Sequence, residues 1–182
     1  MKYCPQCAAP LRQEIPPGDN RPRHVCPACG YIHYQNPKLV VGSLPVWEGC
    51  VLLCRRAIEP AYGKWTLPAG FMENDETAAQ AALRETAEEA CAQVALDGLY
   101  TLTSIPRISQ VHLIYRARLL APDFAPGDET LETRLFHETE IPWDNIAFHS
   151  VALTLQHYFA DARSGNFPLH EFTLDPLVQC FA

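Results

Sequence analysis

The sequence predicts a layered α/β domain built on a mixed sheet, with a small cysteine-rich module in front of it. Segments with strand-like patterning alternate along the chain with two helix-like segments, the arrangement expected of helices packed on a sheet. Two pairs of closely spaced cysteines lie within the first 30 residues. The 182 residues suffice for one sizeable core and a small additional module.

The cysteine-rich module predicts a structural zinc site. Two C-x-x-C pairs lie 18 residues apart, which is the spacing of a four-cysteine zinc ribbon, and their ligands would be Cys4, Cys7, Cys26 and Cys29. A module of about 35 residues is too small to fold on its own core, so a metal ion stabilising it makes physical sense. A disulfide pair and a redox C-x-x-C are the alternatives. We therefore expect a zinc ribbon over residues 1–35.

The elements of the larger domain follow in order, and we expect that domain over residues 38–165, with a C-terminal extension over 166–182. The predicted strands cover residues 39–47, 51–56, 65–72, 94–103, 110–119 and 131–137, and a Glu48-Gly49 turn joins the first two. The segment 77–90 has no Gly or Pro and is rich in alanine, so it predicts a helix, with Asn74 or Asp75 as its cap. Residues 146–162 predict a second helix.

Charge and hydropathy argue against nucleic-acid and membrane partners. The net charge of −7 argues against nucleic acid as a partner, although residues 1–38 carry five basic and two acidic side chains. The longest stretch without a charged residue, 145–160, is shorter than the roughly 20 residues that a membrane span needs. The first residues also lack the apolar stretch of a signal peptide, so we expect a cytoplasmic location.

Three carboxylates share one face of the first predicted helix. Glu85, Glu88 and Glu89 have the spacing i, i+3 and i+4, so their side chains project together, and they repel one another unless a cation lies among them. Carboxylate oxygens on a rigid helix suit Mg²⁺ or Mn²⁺. A solvated acidic helix face is the alternative for these three residues alone.

The wider context of these carboxylates resembles the Nudix box of the Nudix hydrolases, G-x5-E-x7-R-E-U-x-E-E-x-G-U with U apolar. Six positions match: Gly70, Glu76, Arg84, Glu85, Glu88 and Glu89. Three positions depart from the pattern, because Thr86 takes an apolar position, Cys91 takes the position of the second glycine, and Ala92 is only weakly apolar. A left-handed conformation at Cys91 would cost about 1 kcal/mol, so we expect the departures to affect the local backbone more than the chemistry.

The resemblance implies an α/β/α sandwich with a mixed sheet, and an enzyme that hydrolyses a nucleoside diphosphate linked to another moiety with Mg²⁺ or Mn²⁺. By position, Glu88 and Glu89 correspond to the main metal ligands, Glu85 to a further ligand or charge partner, and the Gly70 carbonyl to a backbone ligand. Arg84 corresponds to the arginine that orients the glutamates. A general base is also needed, for which the candidates are Glu129 and Glu132. We prefer Glu132 because it lies just before residues 134–136 in the last predicted strand.

A zinc ribbon before a Nudix domain resembles two subgroups of the family. The NADH pyrophosphatases carry a signature after the box that residues 103–110 of this chain do not match. The plant-type FAD and ADP-ribose pyrophosphatases resemble this chain at residues 14–16, 34–38 and 135–142. We therefore favour FAD or ADP-ribose as substrate, with Phe71 and Arg107 as candidate contacts to it. A core position for Phe71 and a solvated loop position for Arg107 are the alternatives.

Two other function classes stay open at this stage. One is a non-catalytic Nudix-fold module that binds a nucleotide, which the intact carboxylates argue against. The other is a ribbon that binds a protein partner. The ribbon is near neutral once zinc is bound, so its charge neither supports nor excludes such a partner. The expected partner is a small-molecule nucleotide, and a homodimer is left open.

Overall fold

The computed structural model describes residues 1–174, which divide into a unit over residues 1–37 and a second unit from Lys38 onward. The first unit contains a three-stranded antiparallel sheet in the order β1-β2-β3, with bounds Arg12–Glu14, Arg23–Val25 and Ile32–His33. These strands are only two or three residues long, so the sheet buries little apolar surface.

The second unit alternates strands and helices in the predicted order. Its strands are β4 (Lys38–Trp47), β5 (Cys50–Arg56), β6 (Trp65–Thr66), β7 (Ala69–Phe71), β8 (Val94–Ile105), β9 (Gln110–Leu119), β10 (Thr130–Phe136) and β11 (His170–Thr173). Its helices are α1 (Ala78–Ala90) and α2 (His149–Ser164). The segment 65–72, which its Pro68 and Gly70 predict to be a short strand that enters a broken segment, forms β6 and β7; these pair with β5 and β4 respectively and are divided at Leu67-Pro68.

The strands of the second unit form one mixed sheet, as predicted. Its order is β10-β5-β4-β9-β8-β11. Strand β4 runs parallel to β9 and antiparallel to β5, while β8 is antiparallel to β9. Strand β11 adds to the edge, parallel to β8, so residues 170–173 of the expected C-terminal extension belong to the sheet. Residues 175–182 of that extension lie outside the described part of the chain.

The two helices cover opposite faces of the sheet. Val41 on β4 packs with Ala81 and Ala82 of α1, whereas Leu44 on the same strand packs in the core with Val151 and Leu155 of α2. Successive side chains of a strand point to opposite faces, so this alternation sets one helix on each side. The predicted α/β/α sandwich with a mixed sheet is confirmed.

The helix boundaries differ from the prediction by a few residues. Thr77 caps α1, with its hydroxyl accepting from the Gln80 backbone N–H at 3.2 Å and the Gln80 side chain accepting from the Thr77 N–H at 2.8 Å, in place of the cap expected from Asn74 or Asp75. Helix α2 begins at His149 rather than at 146, because Phe148 is extended and Trp143–Asn145 form a 3-10 turn. Neither α-helix of the described chain is long and apolar enough to cross a membrane.

Candidate functional sites

The two C-x-x-C segments of the first unit have the same backbone geometry. The N–H of Ala8 donates to the Cys4 carbonyl and the N–H of Gly30 donates to the Cys26 carbonyl, each at 2.9 Å. Both Ala8 and Gly30 have a positive φ, of 59° and 74°, which closes the turn directly after the second cysteine. Glycine adopts this conformation freely, whereas Ala8 carries a modest strain.

The two turns bring four cysteine sulfurs together. The sulfurs of Cys4, Cys7, Cys26 and Cys29 all lie within 4.8 Å of one another, and none of them forms a disulfide. The Cys4–Cys29 and Cys7–Cys26 Sγ–Sγ distances are 3.6 and 3.5 Å. A zinc ion with tetrahedral Zn–S bonds of about 2.3 Å separates its sulfurs by roughly 3.8 Å. The donor set and its spacing therefore fit the predicted zinc, with no open position for chemistry.

Helix α1 carries the predicted carboxylates of the second unit. The side chains of Glu85 and Glu89 are buried, each with only 8% of its surface exposed, whereas Glu88 is exposed. The alanines of α1 pack on the sheet beneath them. The helix thus sets two charged groups into the protein, which requires compensating partners.

Arg84 connects three of the glutamates that match the box. Its Nε and Nη2 donate to Glu76 at 3.0 and 2.7 Å, and its Nη1 donates to Glu85 at 2.7 Å and to Glu88 at 3.0 Å. Its Nη2 also donates to the Phe71 carbonyl at 3.2 Å. Because the planar guanidinium engages three carboxylates at once, it fixes their orientation.

Strand β7 supplies the backbone that faces these carboxylates. The Ala69 N–H donates to Glu89 Oε2 at 3.2 Å. A Cβ atom built on Gly70 would collide with the Glu85 carboxylate. Only glycine at position 70 therefore allows this carboxylate to lie where it does. Pairing of Gly70 with Val41 of β4 holds this backbone in register over α1.

Burial makes the carboxylates difficult to ionise without a cation. Burial raises the pKa of Glu89 to about 8, and burial also raises the pKa of Glu85 above its ordinary value. Hydrogen bonding to Glu76 and Glu85 raises the pKa of Arg84, so this cation is permanent. One arginine cannot balance Glu76, Glu85, Glu88 and Glu89 together. The donor set therefore fits a hard divalent cation such as Mg²⁺ or Mn²⁺.

The carboxylates line a cavity of about 1190 Å³. This volume exceeds the roughly 300–1000 Å³ of common small-molecule sites, so it accommodates more than a diphosphate group. Both residues predicted to contact substrate line it as well. Phe71 is 48% exposed, with Lys38 Nζ 4.8 Å from its ring centre, and Arg107 lies in the turn between β8 and β9. Neither residue lies in the core.

The two candidate bases lie in different surroundings. Glu129, which precedes β10, lines the cavity. Glu132 is opposite Arg55 in the β10–β5 pairing, and its Oε2 lies 3.6 Å from Arg55 Nη1. Among the described residues that line the cavity, Glu132 is not present. The structure therefore brings Glu129, and not the preferred Glu132, to the carboxylates.

Sequence reasoning missed several side chains of the cavity wall. Arg56 at the end of β5 lines it, and its guanidinium carbon lies 5.2 Å from the ring centre of Phe148. His112 on β9 and Ser150 on α2 also line it and contact each other. No spacing in the sequence indicates these residues, because they come from segments that only the folded sheet brings together.

The departures from the box have local explanations. The Thr86 hydroxyl donates to the Ala82 carbonyl at 2.6 Å and contacts the Ser43 hydroxyl at 2.5 Å, so this buried polar group is satisfied. Cys91 ends α1 in the left-handed conformation, with φ of 48°. The helix therefore closes as a glycine would close it, with the strain expected for a residue that carries a Cβ.

Family comparisons match both units. Residues 2–35 match a family model described as Nudix N-terminal, and residues 37–156 match the NUDIX domain model. A crystal structure of a NUDIX hydrolase from Nitrosomonas europaea superposes with a TM-score of 0.93 at 53% identity, covering 96% of this chain and 99% of that one.

Two curated relatives are more distant. The chain is 37% identical over 90 residues to a protein named NAD-capped RNA hydrolase NudC from Chromobacterium violaceum, covering 48% of this chain and 31% of that protein. It is 26% identical over 116 residues to a protein named ADP-ribose pyrophosphatase from Methanocaldococcus jannaschii, covering 62% and 69%. The chain thus spans less than a third of the first relative's length.

The fold, the six matching box residues and the four-cysteine module agree with these comparisons. Both units match Nudix family models, and together the matched residues cover most of the chain. The resemblance read from the box is therefore confirmed at the level of the family. The chain belongs to the Nudix hydrolase family and carries a zinc-ribbon domain ahead of its Nudix domain.

Proposed function

We propose that this chain hydrolyses the pyrophosphate bond of a nucleoside diphosphate linked to another moiety, of the FAD or ADP-ribose class, with a divalent metal ion. The observation that carries the proposal is the cluster of carboxylates at a cavity of about 1190 Å³, where Arg84 holds Glu85 and Glu88 and the Ala69 N–H holds Glu89. Buried carboxylates with raised pKa values are typical of a site completed by a cation.

The metal would be held by Glu85, Glu88, Glu89 and the Gly70 carbonyl. When bound, Mg²⁺ or Mn²⁺ would neutralise diphosphate charge and lower the pKa of a coordinated water. The fit rests on the excess negative charge of the carboxylates and on the space that Gly70 leaves beside Glu85. Arg84 orients the carboxylates and has its donors occupied by them, so it is not the group that binds substrate.

Other side chains of the cavity wall would act on the substrate itself. Arg56 and Arg107 offer positive charge for the diphosphate, and Phe71 offers an exposed aromatic face at the same cavity. Glu129 is our candidate for the base that takes a proton from the attacking water, because its side chain lines the cavity while Glu132 pairs with Arg55. Glu129 thus replaces Glu132 in the proposal.

The substrate class is supported by sequence features outside the box. The box residues would contact only diphosphate and metal, so choice among substrates must come from elsewhere in the cavity. The relative from Methanocaldococcus jannaschii is named an ADP-ribose pyrophosphatase, which agrees with the proposed class. A second candidate is an NADH or NAD-capped RNA pyrophosphatase activity, which the relative named NudC favours. A cytoplasmic location stays a prediction.

A panel of substrates tests the proposal. Specificity constants would be measured for FAD, ADP-ribose, NADH and dGTP with Mg²⁺ and with Mn²⁺. We expect FAD or ADP-ribose to exceed NADH and dGTP by about tenfold or more. A tenfold lead for NADH would favour the second candidate. Binding without any metal-dependent turnover would favour the non-catalytic module instead.

A further inference from the structure

The cavity has a second section on the opposite face of the sheet from the carboxylates. Glu85 and Glu89 enter the cavity from α1, on one face of the sheet. Ile114 on β9 also lines the cavity, yet it packs in the core that contains α2, on the other face. The first residues of α2 line the cavity too. We call this part, lined by Ile105, Gln110, His112, Ile114, Phe148 and Ser150, the α2 section.

The wall of the α2 section suits an uncharged ring. Half of its six residues are the apolar Ile105, Ile114 and Phe148. The others, Gln110, His112 and Ser150, are polar but carry no charge when His112 is neutral, and two arginines, Arg56 over Phe148 and Arg107 between Ile105 and Gln110, border the section. Burial lowers the pKa of His112, which favours the neutral imidazole. Such a wall, apolar with a few placed polar groups, is typical of a site for a flat organic ring rather than for a phosphate.

The three polar side chains form a chain of hydrogen bonds. His112 Nε2 lies 3.0 Å from Gln110 Oε1, and His112 Nδ1 lies 3.2 Å from Ser150 Oγ. A carbonyl oxygen only accepts, so Nε2 carries the proton of the neutral ring and donates to Gln110. Nδ1 is then an acceptor, and the Ser150 hydroxyl donates to it. Ser150 is buried in the first turn of α2, so the helix holds this end of the chain of hydrogen bonds in place.

This order of bonds fixes what Gln110 offers to a ligand. Its carbonyl oxygen is engaged by His112, so the amide nitrogen is the end of the side chain that stays available. Within residues 1–174, the bond to His112 is the one that the Gln110 side chain makes. An amide nitrogen has two N–H donors. Gln110 therefore presents donors to the cavity, and the orientation of those donors depends on His112 and Ser150.

We propose that Gln110 is a specificity-determining residue that donates to an acceptor atom of an uncharged heteroaromatic ring bound in the α2 section, and that His112 and Ser150 are its positioning residues. The inference rests on the proposed function, because it assigns the ring of a nucleotide substrate to this section. Adenine and flavin both carry ring nitrogens or carbonyl oxygens that accept such a bond, so the ring chemistry is shared and the test distinguishes its source.

Product binding tests this inference without requiring turnover. Titration calorimetry with Mg²⁺ present would measure the affinities of AMP, FMN and ribose 5-phosphate, which share a phosphate but differ in the ring. For the native protein we expect AMP or FMN to bind at least about tenfold more tightly than ribose 5-phosphate. A preference for AMP identifies adenine as the ring, and a preference for FMN identifies the flavin. Equal affinity for all three probes would overturn the proposal.

Matched variants connect the preference to the named residues. Gln110→Met keeps the length of the side chain but removes the amide donors, and we expect the ring preference to fall below about threefold with the affinity for ribose 5-phosphate unchanged. The control is Gln93→Met, the same change at an exposed position that is absent from the cavity wall, and it should keep the full preference. An unchanged preference in Gln110→Met would overturn the assignment.

The positioning role of His112 needs a readout beyond stability. His112→Phe keeps a ring in this position but removes both hydrogen bonds, and we expect KM for the preferred substrate to rise about tenfold while kcat stays within about twofold. Loss of kcat with unchanged KM would contradict a positioning role. If this variant does not fold, Gln110→Met decides the question. Retained ring preference without turnover of FAD or ADP-ribose would refute the proposed function alone.

Discussion

The carboxylate of Glu85 occupies the space that a side chain at position 70 would need, so Gly70 and Glu85 are sterically linked. A Cβ built on Gly70 would collide with both carboxylate oxygens. A similar collision is present at Gly127, where a Cβ would meet the backbone carbonyl of Glu88. The first contact involves the end of a flexible side chain, whereas the second involves the main chain of α1. A side chain at position 70 should therefore disturb the site, whereas a side chain at position 127 should disturb the fold.

Gly70→Ala should impair hydrolysis while the protein stays folded. The Glu85 carboxylate can rotate away from the added methyl group, which moves a metal ligand and lowers kcat by about 100-fold. In Gly127→Ala the added methyl group meets the main chain of α1, which costs more free energy to move than the Glu85 side chain does. We therefore expect a lower melting temperature. Circular dichroism melts and turnover with Mg²⁺ measure both effects. Normal activity in Gly70→Ala would show that Glu85 does not need its present position.

Glu89→Gln should abolish most of the hydrolysis. The amide keeps the shape of the side chain and its contact with the Ala69 N–H, but it lacks the negative charge that holds a cation. We expect kcat to fall by more than about 100-fold at saturating Mg²⁺. The matched control, Glu48→Gln, changes an exposed residue in the β4–β5 turn and should keep native turnover. Turnover of Glu89→Gln at the native rate would show that the box is not used for catalysis.

The stability of the Mg²⁺-free protein should depend on pH through Glu89. The pKa of Glu89 is raised from an ordinary 4.5 to about 8 by burial, so between these values the folded state binds more protons than the unfolded state. The free energy of unfolding therefore decreases as pH rises from about 5 to 8. Burial raises the pKa of Glu85 in the same direction.

Melting temperatures of native protein and Glu89→Gln at pH 5 and pH 8, in buffer without Mg²⁺ and without chelator, measure this dependence. Chelator is omitted so that it does not remove the zinc expected in the ribbon. We expect the variant to gain at least about 5 °C relative to native protein on going from pH 5 to pH 8. Added Mg²⁺ should stabilise the native protein at pH 8 but not the variant. Parallel pH profiles for the two proteins would contradict the prediction.

Glu129→Gln and Glu132→Gln should differ in their effect on catalysis. Glu129 lines the cavity, so its loss as a base should lower kcat by about 100-fold or more. Glu132 forms an exposed pair with Arg55 at 3.6 Å, and such pairs contribute at most about 1 kcal/mol to stability. Turnover of Glu132→Gln should therefore stay within about threefold of native. The reverse order of effects would restore Glu132 as the base.

The ribbon should hold one zinc ion per chain. Four sulfurs within 4.8 Å of one another match a tetrahedral site, and the short strands of this unit bury little apolar surface. Elemental analysis of protein purified without chelator should give about one equivalent of zinc. Less than half an equivalent, together with a Cys4–Cys7 disulfide in mass spectrometry, would contradict the assignment.

The local parts of both sites could be predicted from the sequence. The spacing of Glu85, Glu88 and Glu89 within one helix, and of the paired cysteines within two tight turns, fixes how these side chains lie relative to each other. Hydrophobic patterning likewise indicated the order of strands and helices. Boundaries were less certain, since the start of α2 depends on an extended Phe148 and a 3-10 turn that no periodicity indicates.

Tertiary structure alone decided which distant residues complete the cavity. Glu129 and Glu132 are three residues apart in sequence, but Glu129 lies before β10 and lines the cavity, whereas Glu132 lies within β10 opposite Arg55. His112 and Ser150 meet across 38 residues of chain, where the sheet packs on α2. Sequence spacing encodes neighbours only over a few residues, because helix and strand geometry is local. Contacts between elements depend on how their apolar faces pack. The residues of the α2 section therefore could not be predicted from the sequence and were identified only in the folded structure.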